Sequence, residues 1–413
     1  MIGLPKLAAR VQNWISADKT VETYRSKKSY FTRSTAKLTF TRLMSFILGN
    51  NRNSAQVALN DFFRNTEDDP VTKQALFEAR EKISYSAFAD LSDKIVDEFY
   101  TSGEAPTYKG YTLLGVDGSI FQVPQCAQGE FGGQKSPKSD SITAQARALL
   151  ISDVMSRMIV YSALNPIANG ERKMFLEGLE KLRKFKKPLL IFDRGFYSQE
   201  LVDAMTKKGV SFLFRVKTSH CQKDIDAAND PDQIIMVNGS LLRIINIILP
   251  TGEVQKLATN ILDEDITPSD FSYIYEKRWG VETSYLMVKE RLAIENFTSA
   301  KKNLMLQDFY ASVITYNMME VACLEQEEKR NLQYADIPRK YKQSANRNIV
   351  AHEVRMCFLH VLTETDSQKI GMLMARIESV ISRFFNDIRP GRTNPRKVKF
   401  PSKKFHMNKK RNL

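Results

Sequence analysis

The sequence contains few of the residues that form disulfides or bind transition metals. Its 413 residues include four cysteines and four histidines, widely spaced and with no Cys-x-x-Cys pair. This pattern argues against a zinc site and predicts reduced, structural thiols of a cytosolic protein. The N-terminus has no continuous apolar run before a cleavage site, so we expect no signal peptide. The longest apolar stretch, Met305–Leu324, contains Asp308, Asn317 and Glu320, which predicts a buried helix and not a membrane span.

Positive charge is in excess, and much of it lies near the C-terminus. The formal net charge is +14 and the pI is near 9.4, which indicates a polyanionic partner. The segment Arg389–Leu413, here called the basic tail, holds ten Lys or Arg residues and no acid. It has three prolines and no apolar periodicity. We predict that the basic tail is disordered until it meets a phosphate backbone, rather than serving only as a solubilising tail.

The stretch Tyr275–Lys289, reading YEKRWGVETSYLMVK, contains four functional side chains at helical spacing. On an α-helix that turns about 100° per residue, four side chains fall within an arc of about 60°: Tyr275, Arg278, Glu282 and Lys289. One face therefore combines a phenol, a guanidinium, a carboxylate and an ammonium group. The alternative is a solvated helix face on which Arg278 and Glu282 form an ordinary i,i+4 ion pair.

Two aspartates upstream each end an apolar run. Asp117 closes YTLLGVDGS and Asp193 closes PLLIFDRGFY, and both runs predict short buried strands that end in a Gly-containing turn. A carboxylate at such a junction is held rigidly and can still reach solvent. Together with Glu282, these acids would form a three-carboxylate site without His or Cys, which favours a hard divalent cation such as Mg²⁺.

These residues resemble the Asp-Asp-Glu transposases of bacterial insertion sequences. The similarity is to the insertion sequence four family, whose signature is a Tyr-xx-Arg-xxx-Glu-xxxxxx-Lys spacing, present here without departure from Tyr275 to Lys289. It covers roughly Lys109 to Ala322. The resemblance implies that Asp117, Asp193 and Glu282 are the catalytic, metal-binding residues.

The resemblance also implies the chemistry. Two Mg²⁺ ions about 4 Å apart, which Mn²⁺ should be able to replace, would activate water, neutralise the phosphate and stabilise the leaving oxygen. Arg278 and Lys289 would bind phosphates beside the scissile bond, and Tyr275 would hydrogen-bond a phosphate or stack on a terminal base. The expected function is cut-and-paste transposition, in which water nicks the element end and the freed 3′-hydroxyl attacks the other strand and then target DNA.

The expected partners are double-stranded DNA at the element ends and in the target, and a second copy of the chain in a homodimer. We expect no membrane association and a bacterial cytoplasmic, nucleoid-associated location. Two alternatives stay open. One is a catalytically silent DNA-binding regulator or domesticated remnant, against which the intact set of acids argues. The other is a metal-dependent nuclease without strand transfer.

The element pattern predicts an α/β fold with a ribonuclease-H-like catalytic core. Three strands, the last two forming a hairpin, are followed by a helix over Glu171–Phe185, the Asp193 strand, a helix over Ser198–Lys208 and a fifth strand. In that order the first and fourth strands are neighbours. Aliphatic runs broken by Asn238-Gly239 and by Pro250-Thr251-Gly252 predict a β-rich insertion over 218–261. The expected domains are a helical DNA-binding region (1–107), the core (108–325) and a helical C-terminal region with the basic tail (326–413).

The flanking regions give weaker signals. Residues 1 to about 105 predict helices, with Asp69 capping one that starts at Pro70. That helix and the next, after Ser84-Tyr85-Ser86, predict either a helix-turn-helix or a helical hairpin with a basic face. Residues 126–141 predict a polar loop and residues 326–348 a linker. Helical periodicity returns in Ile349–Glu364 and Gln368–Ile388.

Several single residues leave alternatives. Some relatives stack a flipped base on a tryptophan of the insertion, but this sequence has only Trp14 and Trp279, so that role is unfilled or belongs to another side chain. Trp279 could pack in the core or contact a base, and core packing is the prediction. Glu171-Arg172 at a helix start and Arg194 beside Asp193 could each order the site or form structural ion pairs.

Overall fold

The structure, a computed structural model, describes residues 2–33, 35–49, 54–64, 68–103, 105–135, 141–217, 223–249, 251–337 and 339–389. The basic tail beyond Arg389, Cys221 and Pro250 lie outside these ranges. The chain forms two compact units. Unit 1 comprises Met1–Glu104, Gln122–Ala144 and Val288–Leu413, and unit 2 comprises Ala105–Phe121 and Gln145–Met287. No helix in the described ranges has the length and apolar content to cross a membrane.

Helices and strands alternate through the middle of the chain and helices dominate both ends. The helices are α1 Leu4–Ser16, α2 Asp18–Tyr24, α3 Phe40–Leu48, α4 Ala55–Phe63, α5 Lys73–Arg80, α6 Ser86–Thr101, α7 Gln128–Phe131, α8 Glu171–Leu182, α9 Gln199–Lys207, α10 Lys223–Ala227, α11 Pro268–Lys277, α12 Trp279–Leu286, α13 Lys302–Gln333, α14 Arg347–His360 and α15 Ser367–Ile381. The strands are β1 Thr112–Gln122, β2 Gly133–Lys135, β3 Ile142–Asp153, β4 Ile159–Pro166, β5 Pro188–Phe192, β6 Ser211–Val216, β7 Asp232–Val237, β8 Ser240–Ile248, β9 Val254–Thr259, β10 Lys342–Ala345 and β11 Phe385–Ile388.

Unit 2 is built on a mixed sheet with the strand order β4-β3-β1-β5-β6-β9-β8-β7. The predicted fourth strand, which precedes Asp193, is β5, because the short strand β2 was not predicted. The prediction that the first and fourth strands are neighbours is confirmed, since β1 and β5 pair in parallel from Thr112↔Pro188 to Val116↔Phe192. The predicted hairpin is β3 and β4, which pair antiparallel. Helices α8 and α9 follow the predicted positions, and Ser198 caps α9 by accepting a hydrogen bond from the Leu201 N–H.

The predicted β-rich segment consists of β7, β8 and β9, which extend the main sheet instead of folding separately. Strand β9 pairs antiparallel with β6, and β8 and β7 follow. The predicted turn at Asn238-Gly239 is present, since β7 and β8 pair up to Val237↔Ser240 and both turn residues have positive φ (46° and 81°). Such a two-residue turn needs residues that tolerate the left-handed region, which Asn and Gly do.

The N-terminal part of unit 1 is helical, as predicted, but two details differ. Helix α5 begins three residues later than predicted, with Thr72 as its cap accepting from the Ala75 N–H at 3.2 Å. The solvent face of α6 carries Asp90, Asp97 and only one basic residue, Lys94. The exposed face of α6 is therefore not the basic face that was predicted for a helical hairpin, and the alternative of a helix-turn-helix stays a prediction.

The later parts of unit 1 correct two loop predictions. The predicted linker 326–348 is instead the end of α13, strand β10 and the start of α14, and β10 pairs antiparallel with β11, which replaces the end of the predicted helix Gln368–Ile388. The predicted loop 126–141 contains α7 and β2, and β2 pairs with the first residues of β3; residues 136–140 lie outside the described ranges. The apolar stretch Met305–Leu324 is the buried helix that was predicted.

Candidate active site

Two of the predicted acids follow directly on paired residues of the central strands. Val116 of β1 pairs with Phe192 of β5, and the next residues are Asp117 and Asp193. Because neighbouring strands lie about 4.8 Å apart, this register places the two backbones side by side at one edge of the sheet. The parallel pairing of the strands therefore brings together the backbones of two aspartates that are far apart in the sequence.

The third acid lies on a helix that starts sharply and is then interrupted. Thr267 and Asp270 form a capping box, and Pro268 occupies the first turn of α11, so the sequence fixes where the helix begins. Arg278 separates α11 from α12 but keeps helical dihedral angles (φ −51°, ψ −33°). Glu282 therefore lies one turn beyond Arg278. After Leu286 the helix continues as a π-helical turn, Met287–Arg291.

Helix α12 is attached to β1 on both sides of Glu282. A Cβ atom at Gly115 would lie 2.2 Å from Cγ2 of Val281, so only glycine allows this approach of strand and helix. The Tyr285 hydroxyl donates to the carbonyl oxygen of Asp117 at 2.9 Å and lies 3.2 Å from that of Ala148. Val281 and Tyr285 together hold Glu282 beside β1 at Asp117. The prediction that this strand ends in a turn at Asp117 is wrong, because β1 continues through Asp117 and Gly118 to Gln122. The sequence analysis missed Gly115 and Tyr285; the i,i+4 spacing of Val281 and Tyr285 around Glu282 was the only signal.

Arg278 is the cation among these acids. Its guanidinium donates to Glu282 at 3.1 Å, and the Tyr275 hydroxyl donates to Asp193 at 3.2 Å. Burial lowers the pKa of Arg278, and the nearby Tyr275, Asp193 and Glu282 raise it. The second effect is larger, so the pKa of Arg278 lies above its ordinary value. The side chain is 5% exposed, whereas that of Glu282 is 39% exposed. Among the described residues, the buried Nε of Arg278 has no hydrogen-bond partner.

The carboxyl group of Asp117 has a raised pKa. Burial is the main cause that raises its pKa, to about 6, and Glu282 and Glu171 add to the shift. Arg278 and the Gly118 N–H, which donates at 3.0 Å, oppose it. The pKa of Asp117 stays raised although Arg278 is nearby, so the positive charge around the ionised carboxylate does not offset the cost of its burial.

Helix α8 contributes two residues to the surroundings of the strand ends. The Glu171 carboxylate pairs with Arg147 of β3 at 2.7 Å. Arg172 donates to the carbonyl oxygens of Gly195 and Tyr197, at 2.9 and 3.0 Å, and so fixes the loop after Asp193. For Glu171-Arg172, the sequence left open an ion pair or a role in ordering the site. Glu171 forms an ion pair, and Arg172 orders the loop beside Asp193.

The described side chains include no group of three or more His, Cys, Asp or Glu that is already arranged to hold a metal ion. Glu282 is instead paired with Arg278. The donor set nevertheless fits a hard divalent cation, because Asp117 and Asp193 follow paired residues of neighbouring strands and supply carboxylate oxygens, the ligands that such a cation prefers.

Two site predictions need separate comment. Lys289 lies in unit 1 and in the π-helical turn, where its ammonium is 3.9 Å from Glu295. The uniform helical spacing that placed Lys289 on the Tyr275 face therefore fails at Met287. The predicted core packing of Trp279 is wrong, because its side chain is 51% exposed. Val281, Ser284 and Tyr285 take the buried side of α12, which leaves Trp279 towards solvent, with its ring 5.5 Å from the Arg278 guanidinium.

Comparisons with known proteins give one family match and two distant similarities. A family model described as "Transposase DDE domain" matches residues 108–318. The transposase InsG for insertion sequence element IS4 of Escherichia coli (strain K12) is 19% identical over 279 residues, which are 62% of this chain. The chain matches 62% of the length of that relative. Among solved structures, a piggyBac transposase synaptic complex with hairpin DNA aligns over 95% of this chain and 88% of that chain, at 10% identity and a TM-score of 0.46.

Proposed function

This chain belongs to the transposase DDE domain family, and on that premise we propose that it is a cut-and-paste transposase of the insertion sequence four group that its sequence predicted. Water hydrolyses a phosphodiester at the element end, which leaves a 3′-hydroxyl and a 5′-phosphate. The 3′-hydroxyl then attacks a phosphodiester of the other strand, which forms a hairpin end and releases a 3′-hydroxyl on the flanking DNA. A second water molecule hydrolyses the hairpin and regenerates the 3′-hydroxyl of the element. This hydroxyl attacks a phosphodiester of target DNA and displaces a 3′-hydroxyl there. The observation that supports this most is the attachment of the Glu282 helix to β1 next to Asp117.

The catalytic core we propose is ribonuclease-H-like. In support, β1, β3 and β4 form one side of the sheet, β1 and β5 are parallel neighbours, and β6 follows β5. Strands β7 to β9 would be the insertion that precedes the glutamate helix. Within this scheme the helical part of residues 1–107 binds DNA, and the C-terminal region of residues 326–413 adds its basic tail to the phosphate contacts.

Asp117, Asp193 and Glu282 would hold divalent cations, with Mg²⁺ as the physiological ion and Mn²⁺ as a substitute. When bound, the cation supplies positive charge to the scissile phosphate and lowers the pKa of a water molecule. Glu282 must leave Arg278 to join the two aspartates. Its 39% exposure and its single hydrogen bond to the guanidinium make this a side-chain rotation and not a refolding.

Arg278 is the proposed phosphate ligand. Its unpartnered Nε and the amino group released by Glu282 present two parallel donors, the geometry that guanidinium uses for phosphate. Tyr275 keeps Asp193 in place through its hydroxyl and cannot ionise near neutral pH, since burial above all raises its pKa to about 12. Lys289 would add a point charge for a neighbouring phosphate.

The proposed partners are double-stranded DNA at the element ends and in the target, within a homodimer that joins the two ends. Because the proposed substrate is DNA, the location we propose is the bacterial cytoplasm, at the nucleoid. A regulator without catalysis and a nuclease without strand transfer remain the competing functions, and each gives a different outcome in one assay.

The test uses labelled DNA that contains the element end, with Mg²⁺ and, separately, precut ends with target DNA. The wild-type chain should cleave the first substrate and join the second. Glu282→Gln should abolish both reactions and still bind DNA, because Gln keeps the shape of the side chain and loses its charge. Cleavage without joining would identify a nuclease, binding without either reaction a regulator, and full activity of Glu282→Gln would remove Glu282 from the site.

A further inference from the structure

Glu171 is a fourth carboxylate close to the proposed site, and the chemistry above does not use it. A Cβ atom at Gly118 would lie 2.2 Å from the carboxyl carbon of Glu171 and 2.5 Å from its Oε1. The carboxyl group of Glu171 thus lies directly against the backbone of the residue that follows Asp117. A larger residue at position 118 would force the carboxyl group of Glu171 away from this position.

Glu171 is also held in place. It occupies the first turn of α8, and Arg147 of the neighbouring strand β3 binds its Oε1 at 2.7 Å. The two side chains are only 30% and 20% exposed, so solvent screens the pair less than a surface ion pair. The next residue, Arg172, is fastened to the loop after Asp193 through two carbonyl oxygens. The start of α8 therefore contacts the backbone of β1 next to Asp117 and the loop after Asp193.

We propose that Glu171 is a positioning residue that raises the divalent-cation affinity of the Asp117–Asp193 site from the shell outside these ligands. This inference rests on the proposed function, since it assumes that the two aspartates bind the cation. The negative charge of Glu171 attracts the cation, and the positive charge of Arg147 partly offsets that attraction. Partners of this kind outside the ligand shell typically change metal affinity by about 10- to 100-fold.

Two opposite substitutions separate this role from a purely structural ion pair. Glu171→Gln removes the negative charge and should weaken binding about tenfold or more. Arg147→Gln removes the compensating positive charge and should leave binding as tight as in the wild type or tighter. If the pair only stabilises the fold, both substitutions break the same contact and should weaken binding alike.

The measurement is calorimetric titration of the full-length, DNA-free protein with Mn²⁺, repeated by the loss of the free-Mn²⁺ electron paramagnetic resonance signal. Glu177→Gln, an exposed glutamate on the same helix, is the matched control and should bind as the wild type does. Glu171→Asp keeps the charge and should retain most of the affinity. If Glu171→Gln does not fold, the Mn²⁺ affinity of Glu171→Asp tests the inference instead.

Three results would overturn the inference: unchanged affinity in Glu171→Gln, equal weakening by both substitutions, or a Glu171→Asp variant that folds and binds as poorly as Glu171→Gln. Failure of the proposed cation site itself looks different. In that case the wild type would bind no Mn²⁺ that depends on Asp117, and Asp117→Asn would leave the titration unchanged.

Discussion

Replacing Asp117 by Asn should stabilise the metal-free protein at neutral and alkaline pH. The carboxylate is mostly buried, and burial above all raises its pKa from 3.8 to about 6. Asn has the shape of the protonated acid, and its Oδ1 can accept the hydrogen bond from the Gly118 N–H that Asp117 accepts now. The substitution therefore removes the cost of ionising Asp117 and leaves the local contacts in place.

The magnitude follows from the linkage between protonation and folding. The folded-state pKa is raised, so the stability tied to the neutral form is fully present below the unfolded-state pKa, near 4, and is lost as pH rises through about 6. A difference of about two pKa units at 1.36 kcal/mol each gives about 3 kcal/mol at pH 8. This figure is an upper value, because part of the Asp117 side chain reaches solvent. At pH 4 the two proteins should be nearly equal.

Urea unfolding in EDTA, followed by circular dichroism at pH 4.5 and pH 8, measures this effect. With a slope of about 3 kcal/mol per M, the urea midpoint of Asp117→Asn should exceed that of the wild type by up to about 1 M at pH 8. Adding Mg²⁺ at pH 8 should stabilise the wild type by about 2.7 kcal/mol at 100 times the dissociation constant and leave Asp117→Asn unchanged. Glu177→Gln, whose carboxylate is exposed, should show no pH-dependent difference.

A midpoint difference that is the same at both pH values would refute the reasoning, because it would show that the cost of Asp117 does not come from ionisation. A loss of stability at pH 8 in Asp117→Asn would refute it more strongly. That result would show that the attraction between the Asp117 carboxylate and Arg278 stabilises the folded protein by more than burial of the charge destabilises it.

Three further predictions concern the glutamate helix. Tyr285→Phe deletes the hydroxyl that contacts the carbonyl oxygens of Asp117 and Ala148, so it should cost about 1–3 kcal/mol of stability and lower DNA cleavage, as urea unfolding and the cleavage assay will show. Trp279→Ala should leave stability almost unchanged, since the ring is 51% exposed, but should cost about 1–3 kcal/mol of affinity for unpaired DNA ends in an anisotropy titration, with Trp279→Phe in between. Gly115→Ala should destabilise by about 1–3 kcal/mol through its contact with Val281, and adding Val281→Ala should recover part of that loss; a double variant worse than the single one would contradict the contact.

The parts of the site that the sequence predicted depend on regular periodicity. Apolar runs that end in Asp117 and Asp193 predicted strands, and the order of elements predicted that those strands are neighbours, as the β1–β5 register confirms. The hairpin at Asn238-Gly239 was predictable because the turn geometry restricts which residues can occupy it.

The parts that were missed depend on contacts between distant residues or on breaks in periodicity. Uniform helical spacing could not predict the π-helical turn that begins at Met287, and it therefore misplaced Lys289. Trp279 was assigned to the core by residue type, but Val281 and Tyr285 take the buried side of the helix. The approach of Glu171 to Gly118 joins residues 53 positions apart (171 − 118), and nothing local in either segment indicates it.

The three acids are held by interactions of different strength, and this difference decides how the site responds to change. Backbone hydrogen bonds of paired strands fix Asp117 beside Asp193, so a single side-chain substitution can hardly separate them. Glu282 depends instead on the contact of Val281 with Gly115 and on the hydroxyl of Tyr285. Substitutions at these positions should therefore displace the glutamate alone. A variant such as Tyr285→Phe is then expected to keep a cation at the aspartate pair and still lose cleavage, whereas loss of both would place the tyrosine in support of the strands themselves.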